Sequence, residues 1–233
     1  MIRFSETGRD GRLGPPARPV ADGCTRLVLV RHGAALCHAE RVVGGHAGCR
    51  GLSEEGVVQA RALAARLART GELASASHLY SSALARARQT AEILSPALGG
   101  LEPVADCGLC ELHPGEADGL PWEEVGPRYG EPDFAADPDR PLSPGGESWR
   151  QFLGRVRSQL CRLAARHPGQ TVVAATHGGV IDGSLVCFLR VPDLGAGLDL
   201  RTAHTSITEW QVEGGRFRLG RYNDHAHLAA QQA

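Results

Sequence analysis

The chemistry legible in this sequence lies in a few residues: Arg31-His32-Gly33, Arg86, Glu111 and His177-Gly178. A neutral imidazole carries a lone pair near neutral pH and can form a covalent adduct that water later opens, which suits His32 to attack a phosphorus atom. A phosphoryl group brings about two negative charges. All 25 basic residues are arginine, with no lysine anywhere in the 233 residues. Arginine's planar fork makes two parallel hydrogen bonds to phosphate oxygens and stays charged at any working pH, so Arg31 and Arg86 are the candidate phosphate holders. The lack of a lysine amine excludes Schiff-base chemistry and a Walker-type phosphate loop. For His32 to act, its second ring nitrogen must be held, and a backbone carbonyl near Gly33 is the candidate to fix the tautomer. His177 can donate to a phosphoryl oxygen, and Glu111 can protonate a leaving alcohol and then activate water. Singly, each residue has a plainer reading: a histidine that satisfies backbone, a surface arginine, a solvated glutamate.

The elements decide between the two readings. The run RLVLV at residues 26–30 is short, apolar and β-branched, and predicts a buried strand that ends at Arg31-His32. Ser53 followed by Glu54 and Glu55 marks a helix start, VVQARALAARLART continues it, and Gly71 ends it. A second strand is expected over His78 to Ser81 and a second helix over Ala83 to Leu98, before Gly99-Gly100. Trp149 to His167 predicts a helix, TVVAA a strand ending at Thr176-His177, and Val180 to Leu189 another helix. Strands over Ser206 to Val212 and Arg216 to Tyr222 flank Gly214-Gly215 as a hairpin. The expected fold is therefore α/β, a three-layer sandwich with a mostly parallel central sheet, helices on both faces and an antiparallel C-terminal hairpin. Ligands of such sheets sit at the carboxyl ends of the strands, where both His-Gly turns fall.

Residues 1–23, rich in Gly, Pro and Arg, predict a flexible tail ahead of one domain over residues 24–233. Residues 107–144, with seven prolines, predict a loop-rich insertion that carries specificity. No apolar run reaches membrane-spanning length and no secretion signal is visible, so a cytoplasmic location is expected. The formal net charge of -1 gives no reason to expect nucleic acid as a partner. The seven scattered cysteines fit reduced thiols better than a disulfide framework. Cys107 and Cys110 form the one CxxC; no second pair with zinc spacing follows, and thiols packed beside Leu109 to Leu112 are the expectation. Complete use of arginine over lysine, with abundant alanine, fits a GC-rich bacterial coding sequence.

Six segments then occur in a telling order: LVLVRHG, GLSEEGVVQARALAARL, YSSALARARQTAEIL, CELHPGEADGL, GGESWRQFLGRV and VVAATHGGVI, closed by YNDHAHL. Over roughly residues 26–228 the chain resembles the histidine phosphatase superfamily, the phosphoglycerate mutase-like clan. The resemblance implies that His32 is phosphorylated, that Arg31, Arg86, His177 and the amide of Gly178 form the phosphate pocket, and that Glu111 is the proton donor. It implies no metal and no cofactor. The chain departs from the family pattern at Ala34 and Ala35, which replace an acidic residue and a threonine, and at His38, which replaces an asparagine. His38 and Gly45 are candidate pocket residues, with an exposed loop position the alternative for His38.

The stretch ELHPGEADGLPWEEV is acidic where mutases of the clan are basic, so a phosphatase acting on a small-molecule phosphate monoester is expected over a mutase. A catalytically silent phosphate-binding or scaffold protein is the alternative from another class. A metal enzyme using His32 and His177 would lack nearby Asp or Cys ligands. Oligomeric state is left open, a homodimer included.

Overall fold

The computed structural model describes residues 23–190 and 200–229. The tail expected over residues 1–23 lies, apart from Gly23, outside the described residues. Six strands form one sheet: β1 (Thr25–Arg31), β2 (Ala76–Ser81), β3 (Val104–Ala105), β4 (Thr171–Thr176), β5 (Ile207–Glu213) and β6 (Arg216–Asp224). Their spatial order is β3-β2-β4-β1-β5-β6, parallel through β1, with β5 antiparallel to both β1 and β6. The α/β architecture read from the sequence is the observed one.

β1 and β4 are central and nearly buried throughout, as their continuous apolar runs require. Helices cover both faces. Leu27 and Leu29 of β1 face α5 (Trp149–Arg166) and α6 (Gly178–Leu189), where Phe152, Leu160 and Ile181 complete a core around Trp210. Val28 and Val30 point the other way, to α2 (Glu54–Thr70) and α3 (Ala85–Leu94), where they meet Leu63, Leu67 and Leu94. Alternate residues of one strand thus feed both cores, as strand geometry dictates. Among the described residues, no helix is long and apolar enough to cross a membrane.

Helix ends follow their local chemistry. Ser53 Oγ accepts the N–H of Gly56, two glutamates fill the first turn of α2, and Gly71 closes it in the left-handed region at φ 63°. Ser148 and Gln151 form a reciprocal cap on α5. The helix expected over Ala83 to Leu98 begins later, at Ala85, and gives way at Ser95 to a 3-10 turn with Pro96 in its first residues.

The proline-rich insertion holds more structure than its composition predicts. α4 (Trp122–Tyr129) forms within it despite Pro127, and Val125 packs with Val43, Ala117 and Leu142 in a small separate core. Two short helices, α1 (Leu36–Ala39) and α7 (Ala226–Ala229), complete the described α-helices, and 3-10 turns form at Cys107–Leu109 and Gly115–Ala117.

The register of the sheet positions the site. Arg31 lies opposite Thr176, and the N–H of His32 donates to the carbonyl of Thr176 at 2.8 Å. Ser82, just past β2, donates its N–H to Ala175 at 2.9 Å. Three strands therefore release their chains side by side at one edge.

Candidate active site

His32 and His177 leave β1 and β4 with their ring centroids 5.1 Å apart. The loop after β1 is held by both neighbouring helices: the Gly33 N–H donates to Thr90 Oγ1 of α3 at 3.2 Å, and the Ala34 N–H to Gln59 Oε1 of α2 at 2.9 Å. No side chain fits between this loop and α2, because a Cβ on Gly33 would stand 2.4 Å from the carbonyl oxygen of Gly56.

Two contacts fix the tautomer of His32. Its Nδ1–H donates to the carbonyl of Gly33 at 2.6 Å, and its Nε2 accepts the Nε–H of Arg86 at 3.1 Å. Nε2 therefore holds the lone pair and faces a guanidinium, which is the arrangement a nucleophile toward phosphorus needs. Burial, then the charge of Arg86, holds His32 well below the usual histidine range, so the ring is neutral at neutral pH.

His177 is likewise buried and held neutral, by desolvation first and by Arg86 and Arg31 next. Ser82 Oγ lies 2.8 Å from its Nε2 and spends its own proton on Cys110 Sγ, so Nε2–H of His177 is the donor. Nδ1 of His177 is buried with no hydrogen-bond partner. An entering phosphate dianion would reverse the electrostatic pressure on this ring and favour a proton on Nδ1.

The arginines are built in at the same edge. Arg86, in the first turn of α3, is buried and also donates through Nη1 to the carbonyl of Gly44 at 2.7 Å. Arg31 ends β1, donates through Nη1 to the carbonyl of Thr202, and keeps its buried Nε without a partner. Gly178 lies directly beneath that fork: a Cβ there would be 3.4 Å from Arg31 Nε. Two buried polar atoms at this edge, Arg31 Nε and His177 Nδ1, have no partners. Burial of such groups is costly unless a ligand satisfies them; a phosphate would accept from Arg31 Nε–H directly and from His177 once Nδ1 carries a proton.

Glu111 reaches the same edge from the insertion. Its carboxylate accepts the N–H of Gly179 at 3.1 Å and that of Leu112 at 3.2 Å, so the start of α6 orients it. A Cβ on Gly179 would stand 2.2 Å from Glu111 Oε1.

All of the sequence-derived site residues except His177 line one cavity of about 920 Å³, and His177 lies buried against His32 behind it. His38 is an exposed residue of the short helix α1, not of a loop, and its ring stands 5.7 Å from that of His32 and lines the cavity. Burial of the ring, with Arg86 and Arg31 near, lowers its pKa to about 4. Gly45 lines the wall, where a Cβ would collide with the carboxylate of Asp118 at 2.5 Å.

Sequence reasoning missed three contributors. His204 stands 5.9 Å from His32 and 6.0 Å from His38, its Nε2 buried without a partner. Thr202 supplies a carbonyl to Arg31, and Ser82 orients His177. The signal for the first two was the hairpin: β5 runs antiparallel to β1, so the residues that lead into it arrive at the carboxyl edge of β1.

The acidic character read into residues 111–125 is also redistributed. From this stretch the cavity receives Glu111, Leu112, Pro114 and Trp122, whereas Asp118 caps the loop at Ala47 and Gly48 and Glu124 pairs with Arg128. With Phe134, Leu142 and Trp149, the outer wall is largely apolar.

Comparison with known proteins shows the family to which the chain belongs. The sequence model of the histidine phosphatase superfamily (branch 1) matches residues 27–225. A phosphoglycerate mutase-like protein 4 of Arabidopsis thaliana is 37% identical over 158 residues, which cover 66% of this chain and 67% of the relative. A metal-independent phosphoserine phosphatase of the same plant is 29% identical over 211 residues, 88% of this chain and 84% of the relative. The solved structure of a mycobacterial glucosyl-3-phosphoglycerate phosphatase superposes with a TM-score of 0.68 at 27% identity, over 85% of this chain and 98% of that one.

Proposed function

We propose, from the premise that this chain belongs to the histidine phosphatase superfamily, that it is a phosphoric monoester hydrolase working through a phosphohistidine at His32. The observation that carries the reading is the fixed tautomer: Nδ1–H tied to Gly33 and an unprotonated Nε2 facing Arg86.

In the proposed reaction the substrate's phosphoryl oxygens take over the donors of Arg31, Arg86 and His177, together with the N–H of Gly178 at the start of α6. His32 Nε2 attacks phosphorus as the P–O bond to the leaving group breaks, and Glu111 delivers the proton that the departing oxygen requires. Glu111 then takes a proton from water as that water opens the N–P bond, which returns His32 and releases inorganic phosphate. No metal ion is required at the reacting atoms, because two guanidiniums and two imidazoles surround the transferred group. A generic histidine scaffold without turnover is disfavoured by the same feature, since a mere phosphate binder has no use for a lone pair aimed at phosphorus.

Leu112, Trp122, Phe134, Leu142 and Trp149 on the outer wall favour a monoester whose organic part is apolar or aromatic. The small, highly charged product of a mutase reaction would gain little from such a wall.

The test is turnover of a panel of phosphate monoesters in 18O-labelled water. Inorganic phosphate carrying one solvent oxygen is expected, with aryl and alkyl-aryl esters turned over at higher kcat/KM than phosphoserine or 3-phosphoglycerate. Phosphate exchange between carbon positions without release of inorganic phosphate would assign the site to a mutase instead.

A further inference from the structure

The CxxC gains partners through the fold. Cys107 opens a 3-10 turn, Cys110 closes it, and His113 follows at the same spacing again. The loop that carries His46 lies alongside, pinned by Asp118, which accepts the N–H groups of Ala47 at 2.8 Å and Gly48 at 2.9 Å. Nε2 of His46 is 3.5 Å from Cys107 Sγ, Nε2 of His113 is 3.4 Å from it, and Cys110 Sγ is 2.8 Å from it. One donor atom from each of the four residues lies within 4.8 Å of all the others.

Those distances approximate a coordination polyhedron. With Zn–S near 2.3 Å and Zn–N near 2.0–2.1 Å, tetrahedral geometry sets a sulfur–nitrogen edge of about 3.5 Å and a sulfur–sulfur edge of about 3.8 Å. Both nitrogen edges from Cys107 already match, and the sulfurs need part by only about 1 Å. A disulfide would need them at about 2.0 Å, and it would leave the two imidazoles without a purpose.

Surrounding groups fit a metal as well. The Glu147 carboxylate lies 3.7 Å from Nδ1 of His113 and accepts the His113 backbone N–H at 3.0 Å, the kind of support that fixes a ligating imidazole. Ser82 donates to Cys110 Sγ at 3.4 Å. The guanidinium of Arg155 binds the carbonyls of Cys107, Gly108, Cys110 and Glu111 at 2.8 to 3.3 Å, which places a fixed cation behind two prospective thiolates.

We propose that His46, Cys107, Cys110 and His113 bind one Zn2+ in a closed tetrahedral site that locks the segment bearing Glu111 onto the loop bearing Gly45. On binding, each thiol gives its proton to solvent and each sulfur and each Nε2 donates an electron pair to the ion. Four protein ligands leave no position for water, so the ion is structural and takes no part in bond making. Sulfur and imidazole ligands in a tetrahedron select zinc over harder cations. The missing second pair of zinc ligands is thus supplied by two histidines, one of them 61 residues away in sequence.

The test uses the full chain, reduced, stripped with chelator and titrated with Co2+ as a coloured stand-in for Zn2+. One equivalent should bind with the intense visible bands of tetrahedral cobalt and a thiolate charge-transfer band, and Zn2+ should displace it. The Cys107→Ser/Cys110→Ser double variant should lose both signatures, and His46→Ala, altered at an exposed loop position, should bind at least about tenfold more weakly. Zn2+ should raise the Tm of the native chain and leave that of the double variant unmoved. A weak octahedral spectrum, or one unchanged by the cysteine substitutions, would overturn the proposal, as would a native Tm indifferent to Zn2+. None of these readouts depends on phosphatase turnover, so the zinc site and the reaction at His32 stand or fall separately.

Discussion

Each residue around His32 makes a contact that predicts how its loss would read. Arg86→Lys keeps a positive charge but removes the fork that serves both His32 and Gly44. A charge-assisted hydrogen bond of about 1.5–3 kcal/mol is at stake, so kcat/KM should drop about 10- to 100-fold. Wild-type kinetics in this variant would remove Arg86 from the phosphate pocket. Glu111→Gln should slow alkyl phosphates far more than an activated aryl phosphate, since only the alkyl leaving group depends on the proton; equal losses on both would disqualify Glu111 as the acid. That Arg31, His32, Arg86, Glu111 and His177 lie together was legible in the sequence because the apolar strands end at Arg31-His32 and Thr176-His177, and because without lysine a phosphate must be met by arginine. His204 carries no local motif, and its only signal is topological: it precedes a strand that, as the first of a C-terminal hairpin, runs antiparallel to β1 and so starts at the site edge.

At the scale of elements, two glycines in helices give a matched pair. Gly154 in α5 has open space where a Cβ would go, so Gly154→Ala should stabilise by about 0.5–1 kcal/mol in a denaturant melt. Gly56 in α2 presses on the loop after His32, and a Cβ there would stand 1.9 Å from the Ala34 carbonyl oxygen. Gly56→Ala should therefore lose about 1–3 kcal/mol despite the gain in helix propensity, and lower kcat as the His32 loop shifts. Equal stabilisation by both substitutions would contradict the close packing of that loop on α2. α2 and β1 could be read from sequence nearly to the residue, because Ser53, Gly71 and the apolar run mark their limits. α4 could not, since seven prolines across residues 107–144 mask one short amphipathic helix of about two turns that tertiary packing around Val125 sustains. The proposed zinc ligands belong to this scale too: Cys107 and Cys110 are three positions apart in sequence, whereas His46 joins them through tertiary contacts between two loops, Asp118 with Ala47 and Gly48 among them.

Over the whole molecule, buried neutral histidines link the fold to pH. His32 and His177 are held well below the ordinary value, and His204 and His227 near 4, each chiefly by desolvation. The unfolded chain therefore takes up protons first as pH falls below about 6.5, and stability that is constant above that value declines steadily toward pH 4. Thermal melts should show a lower Tm at pH 5 than at pH 7; a Tm flat across that interval would mean these rings are not buried as neutral species. The sheet order explains why the histidines gather at all, since β2, β4 and β1 end at one edge and antiparallel β5 begins there. That edge was readable from alternating strands and helices, whereas the apolar outer wall was not, because its residues come from the insertion and from the start of α5. The central claim, phosphoryl transfer to His32, is tested most directly by rapid quench of the native chain with 32P-labelled substrate. Acid-labile, alkali-stable label on His32 during turnover, absent from His32→Ala, is the predicted result; steady turnover with no such label on the protein would contradict it.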